Sequence, residues 1–206
     1  MRALALAVAA ALLLSGCARP FERPPLEKTR FVLRLPDPAP GAKTAGPLAV
    51  DRVRVAPLYD HTGFVYRTGE DTFASDPRFE WFGPPGAVLR EAIVDWLDGA
   101  SAFAPVERGS AAGATWLLET EVDRLYADRR DPAAPAAVLA GRFRLLDLRG
   151  REPRRALAQR FEEREPAGGG TPQELVDAFG RALVRVLGGL EPELRAAAAA
   201  PVRAAR

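Results

Sequence analysis

The sequence is poor in the residues that build most reactive sites, because its 206 residues include one cysteine, one histidine and one methionine. A single cysteine cannot form an internal disulfide, which excludes a disulfide scaffold and a thiolate site of the zinc-finger kind. Lysine plus arginine number 29 against 27 aspartate plus glutamate, so bulk charge gives no support to nucleic-acid binding. We therefore expect no metal, no cofactor and no nucleic-acid partner. The rest of the composition, 48% apolar and 27% charged, is typical of one globular domain.

The sequence also lacks an apolar run long enough to span a bilayer, although its N-terminus carries a short one. Met1 and Arg2 form a positive start, Ala3–Leu14 is an uncharged run of twelve apolar residues, and Leu14–Cys17 has the sequence Leu-Ser-Gly-Cys. Twelve residues rise only about 18 Å as a helix, well short of a bilayer core of roughly 30 Å. The pattern instead predicts a signal peptide over residues 1–16.

The Leu14–Cys17 segment resembles the lipobox of bacterial lipoproteins. That resemblance implies cleavage between Gly16 and Cys17, diacylation of the Cys17 thiol with palmitate-like chains, and acylation of the new amine. Two or more chains hold a protein firmly at a membrane. Inner-membrane lipoproteins of enteric bacteria typically carry aspartate after the cysteine. Ala18 and Arg19 stand there instead, so the resemblance implies the periplasmic face of the outer membrane. An ordinary secretory signal with a free thiol is the alternative.

Proline separates the beginning of the mature chain from its body. Residues 18–47 hold seven of the nineteen prolines, which favours an extended, semi-rigid chain. We therefore predict a lipidated cysteine and proline-rich tether over 17–47, with a first strand at 31–35. A single α+β domain follows over 48–190, and an Ala/Arg-rich tail over 191–206.

Alternating apolar residues predict the strands of the domain. One strand is expected over Val50–Pro57, and a hairpin from Phe64–Arg67 and Asp71–Ser75, with Asp76–Pro77 turning the chain away. Three further segments alternate apolar and charged residues, around 116–123, 139–145 and 157–162. Such alternation indicates an antiparallel sheet with one covered face.

Two segments have helical periodicity and recognisable ends. Gly83-Pro84-Pro85 opens the first helix, which Gly99 ends. Thr171-Pro172-Gln173-Glu174 is a capping box for the second, which Gly188-Gly189 is expected to end. The predicted fold is therefore α+β, a two-layer sandwich of a mainly antiparallel sheet with two amphipathic helices on one face.

Few residues offer chemistry. His61 has no nucleophile suitably placed in the sequence, and we expect it to be a polar loop residue. Glu119, Glu121 and Asp123 share one strand face and could form a calcium site or an acid/base pair. Cross-strand pairing with arginines on neighbouring strands explains them better. Gly168–Gly170 precedes a helix but lacks the lysine of a phosphate-binding loop, so a flexible connection is expected.

Two surfaces are candidates for contact with a partner. Aromatic residues in loop-rich chain are often interface anchors, although they can equally form a satellite core. The candidates in that region are Tyr66, Arg67, Trp81, Phe82, Pro84 and Pro85. The second candidate is a docking face of guanidiniums suited to partner carboxylates, made by Arg142, Arg144 and Arg160.

Several short segments, in this order, resemble the ABC-type transport auxiliary lipoproteins, the PqiC-like family. They are Leu14–Cys17, Val53–Val55, Phe64–Arg67, Trp81–Pro85 leading into Leu89 and Trp96–Leu97, and Phe103–Val106. The resemblance runs from Phe31 to Leu190 and departs at Asp76–Glu80. It implies a non-enzymatic outer-membrane lipoprotein working beside an MCE (mammalian cell entry) type lipid transport system. The implied partners are the MCE-domain protein and the ABC permease and ATPase, with several copies of this chain forming a ring.

Two other functions compete with this interpretation. An envelope lipoprotein that activates a peptidoglycan synthase, or assists outer-membrane protein assembly, would need a similar tether and small head. A hydrolase using Glu119, Glu121 and Asp123 is disfavoured because the sequence offers no matching nucleophile and base.

Overall fold

The computed structural model describes residues 26–109 and 111–200. In these residues the chain forms nine strands and two helices. The strands are β1 (Thr29–Phe31), β2 (Leu48–Val50), β3 (Arg54–Val55), β4 (Gly63–Arg67), β5 (Phe73–Trp81), β6 (Val106–Arg108), β7 (Trp116–Asp128), β8 (Ala136–Asp147) and β9 (Arg154–Pro166), and the helices are α1 (Pro85–Ala100) and α2 (Pro172–Ala199).

The strands form one open, mixed sheet, and the predicted α+β class is confirmed. The order is β1-β5-β4-β7-β2-β6, with β3 also on β7 and with β8 between β7 and β9. The long pairings β7–β8 and β8–β9 and the hairpin β4–β5 are antiparallel. The five remaining pairings are parallel and short. Most paired residues are therefore antiparallel, while most strand pairs are not.

Both helices cover the same face of the sheet. Leu89 of α1 and Phe179 of α2 line one small apolar cavity together with Leu125 of β7 and Leu139 of β8. A single core of buried residues connects the helices to the sheet. The predicted arrangement of two amphipathic helices on one face follows from this shared core.

Helix α1 begins as expected, with Pro84 as its N-cap and Pro85 in the first turn. It ends one residue after Gly99. The Arg90 guanidinium donates two hydrogen bonds to the Val50 carbonyl, at 3.1 and 2.9 Å, and so ties α1 to the end of β2. Gly86 allows close approach, because a Cβ there would lie 2.5 Å from the Val53 carbonyl oxygen.

Helix α2 has the predicted capping box, but its predicted end at Gly188-Gly189 is wrong. The helix continues through both glycines and Pro192 to Ala199. Leu190 and Leu194 are fully buried beyond the glycines. Burying two leucines contributes roughly 1.5–3 kcal/mol each, which offsets the cost of about 1 kcal/mol for each helical glycine and of about 3 kcal/mol for Pro192. Tertiary packing therefore overrides the local signal.

The three long strands form an antiparallel meander, β7–β8–β9, and each is longer than its alternation predicts. The β7–β8 register shifts between Val122 and Arg124, where a bulge lets the strand continue to Asp128. Gly141 lies opposite this bulge. A Cβ on Gly141 would lie 2.1 Å from the Glu121 carbonyl oxygen and 2.8 Å from the Phe161 ring, so the close approach requires glycine.

Strands predicted before the meander need three corrections. The single strand expected over 50–57 is two short strands, β2 and β3, which both pair with β7 in parallel. The strand expected over 31–35 is β1, which ends at Phe31. Strand β5 does not end at Asp76–Pro77, because the Asp76 carboxylate accepts the N–H groups of Arg78 and Phe79 and holds the bend within the strand. The hairpin itself is confirmed.

Residues 32–45, which we call the strap, cross the helices and follow β1. Leu33 is buried in the core. A Cβ on Gly180 of α2 would lie 3.5 Å from the Arg34 carbonyl oxygen, so the strap contacts the second helix directly. At its other end, Thr44 and Ala45 donate backbone hydrogen bonds to the Ala102 carbonyl at 2.9 and 2.8 Å. This part of the proline-rich segment is therefore packed against the domain.

Candidate docking surfaces

The sheet face opposite the helices carries an ion-pair ladder, formed by Glu119 and Glu121 of β7 and Arg142 and Arg144 of β8. The register pairs Glu119 with Arg144 and Glu121 with Arg142. Arg142 Nε donates to Glu121 Oε2 at 2.7 Å, and Arg144 Nε lies 3.3 Å from Glu119 Oε2. Arg144 Nη2 also contacts Glu121. Cross-strand pairing is thus confirmed for these four residues.

Two other residues predicted for this face stand outside the ladder. Arg160 of β9 lies directly opposite Arg142 in register and forms no ion pair within the described residues. Asp123 lies at the β7 bulge, is exposed, and likewise has no ion-pair partner in the part of the chain described. The predicted docking face therefore combines two neutralised guanidiniums with one that remains free for another carboxylate.

The aromatic candidates divide into buried and exposed residues. Trp81 is buried, with its ring 4.7 Å from that of Phe64 and 5.5 Å from that of Phe179. Pro85 is buried in the first turn of α1. These two are parts of the core and are not available to a partner.

Tyr66 and Arg67 of β4 are held by neighbours within the domain. The Tyr66 hydroxyl donates to Asp76 Oδ2 at 2.8 Å, and the Arg129 guanidinium lies 4.2 Å from the Tyr66 ring centroid. Burial, with the hydrogen bond to Asp76, raises the pKa of Tyr66. Arg67 donates to the carbonyls of Gly69 and Glu70 at the hairpin turn. Both residues therefore stabilise the hairpin.

Phe82 and Pro84 are the candidates that remain exposed. Phe82 is 70% exposed, the highest value among the large apolar residues that the structure describes. Its backbone N–H donates to the Phe31 carbonyl at 2.8 Å, which places it beside the end of β1. Of the six residues predicted to contact a partner in this region, only Phe82 and Pro84 therefore have side chains that are both exposed and not engaged within the described part of the domain.

The sequence analysis missed a repeated device at the ends of the long strands. Asp128 ends β7 and Asp147 ends β8, and both carboxylates are almost fully buried. Each accepts the backbone N–H and two guanidinium N–H groups of the arginine two residues later, Arg130 or Arg149. An arginine of β9 completes each pair, Arg164 at 2.6 Å or Arg154 at 3.4 Å.

These bonds keep both aspartates ionised. The hydrogen bonds from Arg130 hold the pKa of Asp128 well below its usual range, and those from Arg149 do the same for the pKa of Asp147. The signal in the sequence is the spacing Asp-x-Arg, present at 128–130 and at 147–149. The arrangement is a fully bonded structural anchor and leaves neither carboxylate free to act as a base.

The remaining candidates for chemistry are His61 and the loop Gly168–Gly170. His61 is exposed in the loop before β4. At Gly168–Gly170 the side chain of Glu174 occupies the helix N-terminus, where it accepts the N–H groups of Gly169 and Thr171 at 3.3 and 2.9 Å. No group of three potential metal ligands occurs within residues 26–109 and 111–200. In the same residues, neither helix has an apolar stretch that could cross a membrane. Cys17 and the Gly16–Cys17 bond lie outside the described residues.

Comparison with known proteins identifies the family. A family model described as the ABC-type transport auxiliary lipoprotein component matches residues 31–188. The chain belongs to this family. The match begins at the last residue of β1 and ends within α2, so this auxiliary lipoprotein domain includes the strap as well as the sheet and both helices. The resemblance found in the sequence is confirmed.

Solved structures show the same fold at low sequence identity. The protein XCC0632 from Xanthomonas campestris, of the family DUF330, is 20% identical, with a TM-score of 0.68, over 84% of this chain and 94% of that chain. An uncharacterized protein is 18% identical, with a TM-score of 0.67, over 82% and 99% of the two chains. The hypothetical protein CT253 from Chlamydia trachomatis is 12% identical, with a TM-score of 0.53, over 77% and 100%. No curated protein matches the chain in sequence.

Proposed function

We propose that this auxiliary lipoprotein is anchored by acylated Cys17 in the periplasmic face of the outer membrane and docks there, without enzymatic activity, onto an MCE-type ABC transport system that moves phospholipid or related lipids. The observation that carries the proposal is the family match over residues 31–188. The Leu-Ser-Gly-Cys segment at Leu14–Cys17 supports the anchor, and Ala18 and Arg19 support the outer membrane.

The non-enzymatic part of the proposal is supported by the engagement of the charged groups. The most buried aspartates, Asp128 and Asp147, accept hydrogen bonds from arginines on both sides. The carboxylates of the ladder are paired as well. A general base needs a free carboxylate within reach of a substrate proton, and these carboxylates are already paired with arginines.

The ladder face is the surface we assign to the protein partner. Arg160 is exposed, lies beside Arg142, and keeps its bidentate geometry free for a carboxylate of the MCE-domain protein or permease. A lipid anchor raises the local concentration of the domain, so a docking face with few strong contacts is sufficient. Several copies around one transporter, arranged as a ring, belong to the same proposal.

Copurification tests the proposal. The full-length protein is extracted in mild detergent and isolated from native and from Arg160→Glu cells, and its own N-terminus is measured by mass spectrometry. We expect an acylated Cys17 and an MCE-domain protein with its permease and ATPase in the native sample. Arg160→Glu should lower the recovery of these partners about tenfold, because charge reversal opposes a carboxylate at close range.

Arg151→Glu is the matched control, because Arg151 is an exposed arginine in the turn between β8 and β9 without an ion pair in the described residues. If both variants lose the transporter partners to the same extent, overall charge and not the ladder face controls binding. If Arg160→Glu loses none of them, the ladder face is not the docking surface. Recovery of a peptidoglycan synthase or an outer-membrane assembly factor in place of transporter components would replace the proposal with that alternative.

A further inference from the structure

The edge of the sheet next to the N-terminus exposes two large apolar side chains side by side. Strands β1 and β5 are parallel and their last register pair is Phe31 with Trp81. Val32 and Phe82 follow this pair, and the 2.8 Å hydrogen bond from Phe82 N to Phe31 O holds the two chains together there. Val32 is 51% exposed and Phe82 70% exposed. Val32 also lines an open groove with Glu91 and Asp95 of α1, two carboxylates that Arg108 pairs with.

Cations lie on and beside the two strands that form this edge. Lys28 and Arg30 both contact Glu80, at 2.9 and 2.8 Å, so they lie on the side of the sheet that Glu80 occupies. Arg78 precedes Glu80 by two positions in β5 and is exposed. Lys28 and Arg30 share one carboxylate, Glu80, and Arg78 has no ion pair in the described residues, so the cations here outnumber the carboxylates that pair with them. We call Lys28, Arg30, Arg78, Val32 and Phe82 the edge patch.

The distance along the chain to the anchor is short. Leu26, the first residue described, is nine residue steps after Cys17, and nine steps span at most about 32 Å when fully extended. Leu26 is itself 52% exposed and only two residues before Lys28. With Cys17 acylated, the edge patch therefore cannot move far from the lipid headgroups.

We propose that the edge patch docks on an anionic phospholipid surface, with Phe82 and Val32 entering the boundary between headgroups and acyl chains. The inference rests on the proposed acylation of Cys17. An aromatic and an aliphatic side chain near cations that outnumber their paired carboxylates are a combination that suits a membrane interface, because apolar burial and attraction to anionic lipid act together. The ladder face lacks the exposed apolar residues and has its carboxylates interleaved with its arginines. The two surfaces thus suit different occupants, lipid at the edge patch and protein at the ladder.

A solvent-sensitive fluorophore at position 82 tests the inference in the full-length acylated protein. Acylation blocks Cys17, so Phe82→Cys introduces the single free thiol. The protein is reconstituted in vesicles of phosphatidylglycerol and phosphatidylethanolamine with spin-labelled quencher lipids. Leu58→Cys is the matched control, because Leu58 is 50% exposed and lies in the loop between β3 and β4. We expect blue-shifted, lipid-quenched fluorescence at position 82 and at Val32→Cys, and solvent-like fluorescence at position 58.

Charge provides the second measurement. Arg78→Glu, combined with the position 32 probe, should lower the ratio of docked to undocked protein about tenfold, whereas Arg151→Glu should leave it unchanged. Vesicles of phosphatidylethanolamine alone should reduce quenching in the same direction.

The outcomes separate the inference from the function on which it rests. Fluorescence at position 82 that stays solvent-like while the protein remains on the vesicles overturns the edge patch alone. Protection of position 82 only after inner-membrane proteins are added assigns the patch to a protein partner and also overturns the inference. If the native protein is labelled at Cys17, or is washed off the vesicles, Cys17 is not acylated. This result overturns the proposed membrane anchor and, with it, the inference about the edge patch.

Discussion

The two halves of the sheet are built on different principles. In the meander β7–β8–β9 each strand pairs along its full length with its neighbour in the chain. In the half that holds β1 to β6, only β4–β5 joins consecutive strands, and the other pairings are parallel, two or three residues long, and join distant segments. The meander is therefore stabilised by long runs of hydrogen bonds between strands. The other half is stabilised by side-chain packing and by the strap. The difference predicts how each half responds to substitution.

The largest effect is expected in the core of the meander. Phe143 is fully buried and its ring lies 4.7 Å from that of Phe161. Phe143→Ala should lower the free energy of unfolding by about 3–5 kcal/mol, because it creates a cavity where the strands pack on α2. Urea unfolding followed by circular dichroism measures it. Leu58→Ala, at a half-exposed position, is the control and should change little. A small loss for Phe143→Ala would show that the meander tolerates cavities and would remove the contrast.

A smaller and more local effect is expected in the strap. Leu33→Ala should cost about 2–3 kcal/mol, because Leu33 is buried among Trp81, Leu89 and Phe179. Hydrogen exchange should accelerate first at the amides of Gly41, Thr44 and Ala45, which hydrogen-bond to the end of α1 and to Ala102. Val32→Ala, next to it but half exposed, is the control. Uniform acceleration in both halves of the sheet would mean that the strap and the meander unfold as one unit.

The smallest effect concerns the aspartates that end the long strands. Their pKa values are lowered by arginines in the folded state, so their stabilisation is present above about pH 4 and is lost as pH falls below the unfolded value near 3.8. Asp128→Asn or Asp147→Asn alone should cost about 1–2 kcal/mol at pH 7, less than Leu33→Ala, and a double variant combines the two changes. The double variant should also flatten the decline of stability below pH 4.

Asp60→Asn is the control for this measurement, because the exposed Asp60 side chain has no hydrogen bond or ion pair in the described residues. Unfolding at pH 7 and at pH 3 measures the difference between the variants. If the free energy of unfolding of the double variant declines below pH 4 as steeply as that of the native protein, these pairs contribute no more than other surface charges.

What could be predicted from the sequence follows the same division. The alternation around Phe143 and the capping box from Thr171 to Glu174 are local signals, and both are present in the structure. The parallel pairing of β2 with β7 joins residues more than sixty positions apart, and no local pattern encodes it. Helix α2 continues past Gly188 because of burial at Leu190 and Leu194, which depends on distant packing.

The candidate sites show the same limit. The guanidinium face was predictable because cross-strand partners alternate with the core residues, as at Glu121 and Arg142. The aromatic segment was not, because Trp81, the last residue of β5, is buried, whereas its neighbour Phe82 lies just beyond the strand and is exposed. Alternation of buried and exposed positions, counted from Phe79 through Trp81, would have predicted a buried Trp81 and an exposed Phe82. The buried aspartates could have been predicted from the Asp-x-Arg spacing, which occurs both at Asp128–Arg130 and at Asp147–Arg149.

The strap has a consequence for biogenesis. Among the described elements only β1 leaves the ribosome before the strap, yet Gly180 and Phe179, against which the strap packs, belong to α2, the last of these elements to be synthesised. The surface of α2 on which the strap packs does not form until nearly the whole polypeptide has been synthesised. The strap and α2 can therefore pack together only when synthesis is nearly complete, and a chain interrupted before α2 leaves the strap without its contact surface.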